Sequence, residues 1–383
     1  MNARDAGVTE ARQVLSEEGR SLALLIGNGV NLASETGPAV GWQKLVDDLI
    51  AFASQHSREP HLTRARLSSL RDRQERAASL PEIVDLAAAW MADSGKAVHA
   101  GSAEGRLQRR IVDALGQLKP GQSHQSVVGW AARLGVPVLT TNYDHSLQQA
   151  FPGEQCTQWR FRTGRRNSDY YPWDRYYAPK PISDTLCGFA VWHIHGDSAF
   201  RRSIRAGLHQ YMGMVQRLRG LLSPVAEEVL KHRKRRASGS EKGVPAFFRA
   251  PWLRLLLGKK LWIQGLALST DEVSVRWMLI QRFRYWRRYR PDSLETGWYV
   301  HGGARPGRRL DGGRRAFLQS IGLRVIEIGE TDDVYSDIFG GDLQGDGHQA
   351  PDGSVFHERT QALPAGRGVD QDRPHSRRGR RGG

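Results

Sequence analysis

Four short polar clusters in this chain each follow an apolar run, and each has residue types that can act on a ligand. In I-G-N-G-V-N, Gly27 and Gly29 permit a tight turn and close backbone approach, while Asn28 and Asn31 carry donors and acceptors suited to a ribose or a phosphate. In T-T-N-Y-D, an apolar run discharges Thr140, Thr141, Asn142, Tyr143 and Asp144. In W-H-I-H-G-D, His195 precedes Gly196 at the strand mouth and, with an ordinary pKa of about 6.5, suits general base work near neutral pH. Strand alternation puts His193 on the same face as His195, further inside. The fourth cluster, G-L-A-L-S-T-D-E, runs from Gly265 through Leu268 and Ser269 to Glu272.

Every cluster also has an ordinary reading. The third glycine of a dinucleotide fingerprint is missing, since Leu32 and Ala33 stand there, so G-x-G alone is a tight strand exit as readily as a phosphate loop. No clear helix is expected before Trp42. T-T-N-Y-D alone reads as an Asx-turn with Asp144 as a helix cap. Ser269, Thr270 and Asp271 read as a cap for the helix that follows. Order separates the two sets of readings. In an open parallel sheet, ligands bind beyond the carboxyl ends of the strands, and all four clusters fall at such ends.

The elements that must position these clusters show as an alternation. Strand-like runs at 21–27, 136–141, 189–195, 259–265, 297–302 and 323–329 alternate with helical patterns at 42–54, 82–92, 106–118, 123–134, 207–222, 272–289 and 312–320. The expected fold is α/β, a Rossmann-like parallel sheet flanked by helices. Residues 1–20 are expected to form an N-terminal helix or arm, and 21–340 the domain that carries the chemistry. Within it, 55–120 reads as a helical insertion subdomain, and 152–187, rich in Tyr, Trp, Pro and Arg, as a long functional loop or small lobe. The segment 341–383 lacks periodicity, is dense in Gly, Pro and charge, and is expected to be disordered.

Composition bounds the function classes. At 39% hydrophobic and 25% charged, the chain fits a soluble protein with a core, and no run approaches the ~18–20 apolar residues of a membrane span. The amino terminus has no apolar signal region, so the expected location is the cytoplasm and no membrane partner is expected. Cys156 and Cys187 are the only cysteines; they form no CxxC pair, so no structural zinc and no metal cofactor is expected. The net charge is +16, with Lys and Arg gathered at 231–236, at 282–290 and around Arg201, Arg202 and Arg205. Such patches, interleaved with aromatics, make nucleic acid a candidate partner; the plainer reading is solvated cations in an arginine-rich chain.

Taken in order and spacing, the four clusters resemble the sirtuin-like proteins, most of all the bacterial sirtuin-like NAD hydrolases of antiviral defence. Gly27-Asn28-Gly29 resembles the family's Gly-Ala-Gly loop, Thr140 to Asp144 its Thr-Gln-Asn-Ile-Asp segment, and His195-Gly196 its His-Gly pair. Gly265 to Ser269 looks like the segment that contacts the adenosine half of NAD, and S-I-R-A-G-L-H-Q-Y at 203–211 like the stretch that follows the histidine in the bacterial group. The resemblance spans roughly residues 20 to 340. The two CxxC pairs that build the zinc ribbon of deacylating sirtuins are missing, which turns the expectation from deacylation to hydrolysis of NAD, with water as nucleophile and nicotinamide and ADP-ribose as products.

That resemblance implies a cast of residues. The Gly27–Gly29 amides would hold the diphosphate, and Asn142 would bind ribose hydroxyls or position water. Asp144 would orient the carboxamide or stabilise the developing cation, and His195 would be the base. Thr140, Thr141, Gly196, Gly265, Leu268 and Ser269 would complete the cleft. It also implies an anti-phage effector that depletes NAD, controlled by homo-oligomerisation or by a partner protein. The alternatives are a catalytically silent nucleotide-binding sensor or assembly module, and ADP-ribosyl transfer. A dehydrogenase fits less well, because the first loop lacks the full fingerprint.

Overall fold

The computed structural model describes residues 3–33, 41–71, 78–92, 102–153, 155–161, 169–183, 185–230, 250–293, 295–302 and 310–340. The expected tail at 341–383 and the basic run at 231–236 lie outside the described residues. The strands are β1 (Leu22–Ile26), β2 (Val138–Thr140), β3 (Thr157–Arg160), β4 (Arg175–Ala178), β5 (Val191–His193), β6 (Lys260–Gln264), β7 (Gly297–Gly302) and β8 (Leu323–Ile328). The first helices are α1 (Ala3–Glu18), α2 (Gly29–Ala33), α3 (Trp42–Gln55), α4 (Pro60–Arg71), α5 (Leu80–Ala92), α6 (Ala103–Leu115) and α7 (Gln122–Leu134). They are followed by α8 (Ser146–Gln149), α9 (Leu208–Leu230), α10 (Trp252–Gly258), α11 (Val273–Tyr289), α12 (Gly312–Ser320) and α13 (Val334–Phe339).

The strands form one sheet in the order β3-β4-β5-β2-β1-β6-β7-β8. The six from β5 to β8 are parallel, and β3 and β4 are antiparallel additions at one edge. The parallel six, renumbered along the chain, read 3-2-1-4-5-6, the order of a Rossmann-like sheet, so the α/β expectation holds. A strand buried on both faces reads as a continuous apolar run. In β1, Leu22, Leu24 and Ile26 enter the core with Val127, Trp130 and Trp262, while Ala23 and Leu25 enter the opposite core with Trp192 and Leu218.

Register sets the level at which the loops leave the sheet. Ile26 pairs with Thr140 on one side and Gln264 on the other, and Thr140 pairs with His193. Four strands therefore end abreast, and the four polar clusters emerge side by side. Chain order reverses between β1 and β6, where a doubly wound sheet opens its crevice.

Two expectations change. The segment 152–187 is not wholly irregular: alternating side chains in T-Q-W-R and R-Y-Y-A pair as β3 and β4, and Trp159 and Tyr176 carry the core outward. In the stretch 55–120 the described residues form α4, α5 and α6, and α3 packs with them. Leu45, Val46 and Leu49 pack with Ile83, Ala87, Leu107 and Ile111 in a third core, which Tyr143, Ile204 and Ala206 of the main domain complete.

Among the described residues no helix is long and apolar enough to cross a membrane. Several arginines of the basic stretches are structural. Arg282 is fully buried and donates to the carbonyls of Leu256, Lys259 and Thr296. Arg205 and Arg202 stack over Tyr171 and Tyr170, at 4.6 and 4.2 Å from the ring centres.

Gly265 has φ +75°, and a Cβ there would stand 2.5 Å from the Tyr335 hydroxyl and 3.0 Å from the Gly27 carbonyl oxygen. Gly265→Ala is expected to cost about 2–3 kcal/mol, combining a left-handed backbone with a clash at the crevice. Urea unfolding measures it, and an unchanged midpoint would contradict this packing.

Candidate active site

The first loop is held by the sheet it leaves. The Gly27 N–H donates to the Gln264 carbonyl at 2.9 Å, and the Gly29 N–H to the Gly265 carbonyl at 2.8 Å. Contrary to the expectation of no helix before Trp42, α2 starts at Gly29. Its Asn31 and Val30 amides return to the Asn28 and Gly27 carbonyls. The amides of Gly27 and Gly29 are therefore committed within the protein, which corrects their expected role as a diphosphate cradle. These glycines serve the close packing of β1 on β6.

Asn31 and Asp144 are committed to each other. The Gly121 amide donates to His124 Nδ1 at 3.1 Å, which leaves the other ring nitrogen, Nε2, to donate to Asn31 Oδ1 at 2.7 Å. Asn31 Nδ2 then donates to Asp144 Oδ2 at 2.9 Å and to Asn28 Oδ1 at 2.7 Å. The other Asp144 oxygen accepts the Ser146 amide at 2.9 Å, the Asx-turn into α8. Burial lowers the pKa of His124 despite Asp144 and Asp333, in keeping with this neutral tautomer. Asp144, expected to touch the nicotinamide or a cation, instead fixes the position of the residues around it.

The strand end before it is tied just as closely. Thr140 Oγ1 donates to the Ile26 carbonyl at 2.9 Å and accepts the Asn142 amide at 3.1 Å, and the Thr141 amide reaches the same Ile26 carbonyl at 3.3 Å. Asn142 is held with its Nδ2 at 3.4 Å from the Gly27 carbonyl. Its Oδ1 has no partner among the described residues. The Tyr143 hydroxyl donates to the Arg205 carbonyl and lies 3.5 Å from the Tyr211 hydroxyl. Burial pushes the Tyr143 pKa up to about 12.

The two histidines part company, correcting their expected shared face. β5 ends at His193, so alternation does not extend to His195. His193 donates from Nδ1 to the Asn142 carbonyl at 2.8 Å and accepts the Gln148 amide at Nε2 at 3.0 Å. Burial lowers its pKa. His195 faces the other way, its ring centre 5.7 Å from that of Tyr211 and its Nε2 3.1 Å from Ser274 Oγ. Among the described residues no carboxylate pairs with it, and burial drives its pKa down to about 4, not the ordinary value expected from sequence. The imidazole is thus neutral at pH 7. Gly196, at φ +139°, lets the chain turn where a Cβ would strike the Ser203 carbonyl oxygen at 2.4 Å.

Below this turn lies a network that the sequence reading missed. Asp197 accepts from His145 Nε2 and the Ala199 amide at Oδ1, both at 2.8 Å, and from the Tyr177 hydroxyl at Oδ2, also at 2.8 Å. Burial alone would raise the pKa of Asp197, but the bond from His145 and the nearby imidazoles outweigh it and hold the carboxyl at about 2. Burial likewise opposes charge on His145, yet Asp197 raises its pKa. His145, His193 and Asp197 bring ligand-type atoms within 4.8 Å of one another, the one trio of a kind that could hold a metal among the described residues. Those atoms are already hydrogen-bonded within the protein. The only sequence signals were the letters after T-T-N-Y-D and H-G.

The loop from Gly265 to Glu272 closes the site. The Tyr299 hydroxyl donates to the Leu266 carbonyl and Arg276 Nη1 to the Leu268 carbonyl, both at 2.7 Å. Leu268 itself has φ +47°, a left-handed conformation that costs about 1–2 kcal/mol in a residue with a Cβ. Its side chain is fully buried. Ser269 contributes its carbonyl to the Glu272 amide at 3.1 Å, and Glu272, not Ser269, Thr270 or Asp271, stands at the N-cap of α11. Asp271 reaches instead to the Leu80 amide at 3.2 Å, at the start of α5. Burial raises the Glu272 pKa to about 7, against the amides of Leu268 and Ser269 that hydrogen-bond its carboxylate.

No family model and no curated protein matches this chain.

Asp197→Asn tests the buried network. A carboxyl held at about 2 instead of 3.8 contributes stability that is full above its unfolded pKa and lost as pH falls through 2. The variant is expected to lose about 2 kcal/mol at pH 7 and to show a flatter acid limb in denaturant titrations between pH 2 and 5. Equal stability of both proteins at pH 7 would contradict the network.

Proposed function

We propose that this chain is a sirtuin-like hydrolase that cleaves the N-glycosidic bond between nicotinamide and ribose in NAD, releasing nicotinamide and ADP-ribose, and that it serves antiviral defence by depleting NAD. One observation carries the reading. Four polar clusters emerge abreast at the switch point of a Rossmann-like sheet, and among them Asn142 and His195 keep hydrogen-bonding capacity that the fold does not use. Their neighbours Thr140, Asn31, Asp144 and His193 are bonded within the protein.

The chemistry suits such a pair. As the glycosidic bond breaks, its electrons pass to the pyridinium nitrogen, and positive charge develops on the ribose. Nicotinamide is a competent leaving group, so orientation and electrostatics carry most of the rate. Asn142 Oδ1 accepts from the attacking water or a ribose hydroxyl, with Nδ2 anchored on the Gly27 carbonyl. Water forms the new bond to the anomeric carbon, and its proton passes to the neutral His195 and then to solvent. With a pKa of about 4, His195 is a weak base, which fits a reaction where bond breaking runs ahead of attack. A partner protein or second copy would act through the helical insertion, whose core contains Tyr143, next to Asn142.

Asn142→Ala and His195→Ala are each expected to lower nicotinamide release by about 100-fold or more with the fold intact. Chromatography of NAD reactions measures this, alongside circular dichroism, and wild-type turnover by either folded variant would refute the assignment. A silent nucleotide sensor would bind ADP-ribose with no release in the wild type; an ADP-ribosyl transferase would yield a mass-shifted acceptor.

The pH profile gives a second check. The His195 lone pair is free above about 4, so kcat at saturating NAD is expected to stay level from pH 6 to 8 and to fall towards pH 4. An inflection in kcat near 6.5 that disappears in His195→Ala would show an ordinary imidazole instead.

A further inference from the structure

Residues 198–226 carry five arginines and no Asp or Glu. The fold gathers three of these arginines around two tyrosines. Arg202 lies over the Tyr170 ring at 4.2 Å, and Arg205 is 5.8 Å from the same ring centre. Arg205 and Arg217 both lie over Tyr171, at 4.6 and 4.7 Å. Cation and ring thus alternate from Arg202 through Tyr170, Arg205 and Tyr171 to Arg217, which α9 supplies. The cluster is anchored in the core. Tyr171 packs on Trp173 at 4.6 Å, and Trp173 on Trp252 of α10 at 6.0 Å. Arg205 donates to the Tyr170 carbonyl, and Arg202 Nη2 donates to the Tyr170 hydroxyl at 2.6 Å.

Stacking orients these cations without neutralising them. Among the described residues no carboxylate pairs with Arg202, Arg205 or Arg217. The acids of the adjoining segments pair elsewhere: Asp174 with Arg160 at 2.9 Å, Asp169 with Arg175 at 3.4 Å, and Asp197 with His145 at 2.8 Å. Arg205 is only 5% exposed, and a buried guanidinium without a counter-ion is costly. Arg202 and Arg217 each share a ring with it, which keeps them within about one Debye length, ~8–10 Å, and adds repulsion. The aromatic faces offset part of this cost. An anion docked on the exposed members offsets more.

Those exposed members indicate which anion. Arg202 and Arg217 are exposed, and Tyr170 is 42% exposed. A guanidinium with a ring against one face offers N–H groups at its edge to a phosphate and its other face to a base. Two such cations on two different rings suit successive phosphates of a chain better than one small phosphate. In a duplex the bases are already stacked on each other, whereas unpaired bases can stack on a platform of this kind. We propose that Arg202, Tyr170 and Arg217 bind single-stranded nucleic acid. The two exposed guanidiniums hold backbone phosphates, and the Arg202–Tyr170 pair stacks an unpaired base. Arg205 touches no ligand; it fixes both tyrosines and adds its charge to the field. The proposal is independent of the NAD reading.

The test is fluorescence anisotropy of the full chain with a labelled oligothymidine and with a duplex of equal length. A strand of roughly 20 nucleotides exceeds the ~4–16 that a single domain covers. The single strand is expected to bind more tightly than the duplex. Arg202→Ala combined with Arg217→Ala is expected to weaken the single strand roughly 10- to 100-fold. It should also make log K against log salt shallower by about 1.4, the share of two phosphate contacts. Tyr170→Ala changes no charge and is expected to weaken binding roughly 5- to 50-fold through lost stacking. Arg287→Ala combined with Arg288→Ala removes the same charge from exposed positions of α11 and is expected to stay within about twofold. Circular dichroism checks each fold. Equal loss in the two arginine pairs would reduce binding to a general field and overturn the site. Unchanged affinity in the folded Arg202→Ala, Arg217→Ala variant, full binding by Tyr170→Ala, or tighter binding of the duplex does the same. Two measurements need no variant. Failure of the wild type to bind the single strand overturns the proposal, and so does displacement of the strand by polyglutamate at matched charge, which would mark a surface for an acidic protein.

Discussion

Everything at the crevice depends on how closely two backbones approach where β1 and β6 end. The Gly29 amide reaches the Gly265 carbonyl, and a side chain on Gly27, Gly29 or Gly265 would meet backbone at 2.5 to 3.0 Å. The glycines are thus explained by packing across a parallel pair, before any ligand is invoked. Once the two loops are joined, the Gly27 carbonyl is in place for Asn142, and the chain after Gly265 is led into the strained turn at Leu268. A fold that brings two loops together this tightly holds its polar groups with little freedom to relax.

That rigidity divides the polar residues into two kinds. Thr140, Asn31, Asp144, His193 and Asp197 are bonded to the protein and hold shape. Asn142 and His195 are held by part of their bonding capacity and keep the rest unused. The arrangement also separates electrostatic roles. His195, with no carboxylate paired to it among the described residues, stays neutral, whereas Asp197 stays ionised because His145 and Tyr177 surround it.

Much of this was legible in sequence, for definite reasons. Central strands such as β1 show themselves because burial on both faces removes polar residues from them, while the edge strand β8 shows by its alternation of buried and exposed residues. The clusters at their ends show because glycine, asparagine and histidine have few other reasons to follow such runs. The edge strands β3 and β4 were hidden, since each is four residues long and joined by a Tyr- and Arg-rich segment that reads as loop. Individual roles were harder still. Whether an amide of Gly27 faces a phosphate or the Gln264 carbonyl depends on a neighbour more than two hundred residues away. The fate of Asp144 depends on Asn31, and the shift of His195 depends on its burial beside Tyr211 and Ser274.

The third core has a consequence for how this protein could change over time. Tyr143 sits beside Asn142 in sequence yet belongs with Ile204 and Ala206 in the apolar interior of the helical insertion. The insertion is therefore no detachable module grafted onto a finished sheet: without it Tyr143 would lose its packing, and the strand end would have to be redesigned. A lineage carrying this arrangement could vary the outer faces of α3 to α6 freely and recruit new partners there. It could not exchange the subdomain for another without also reinventing the floor of the crevice.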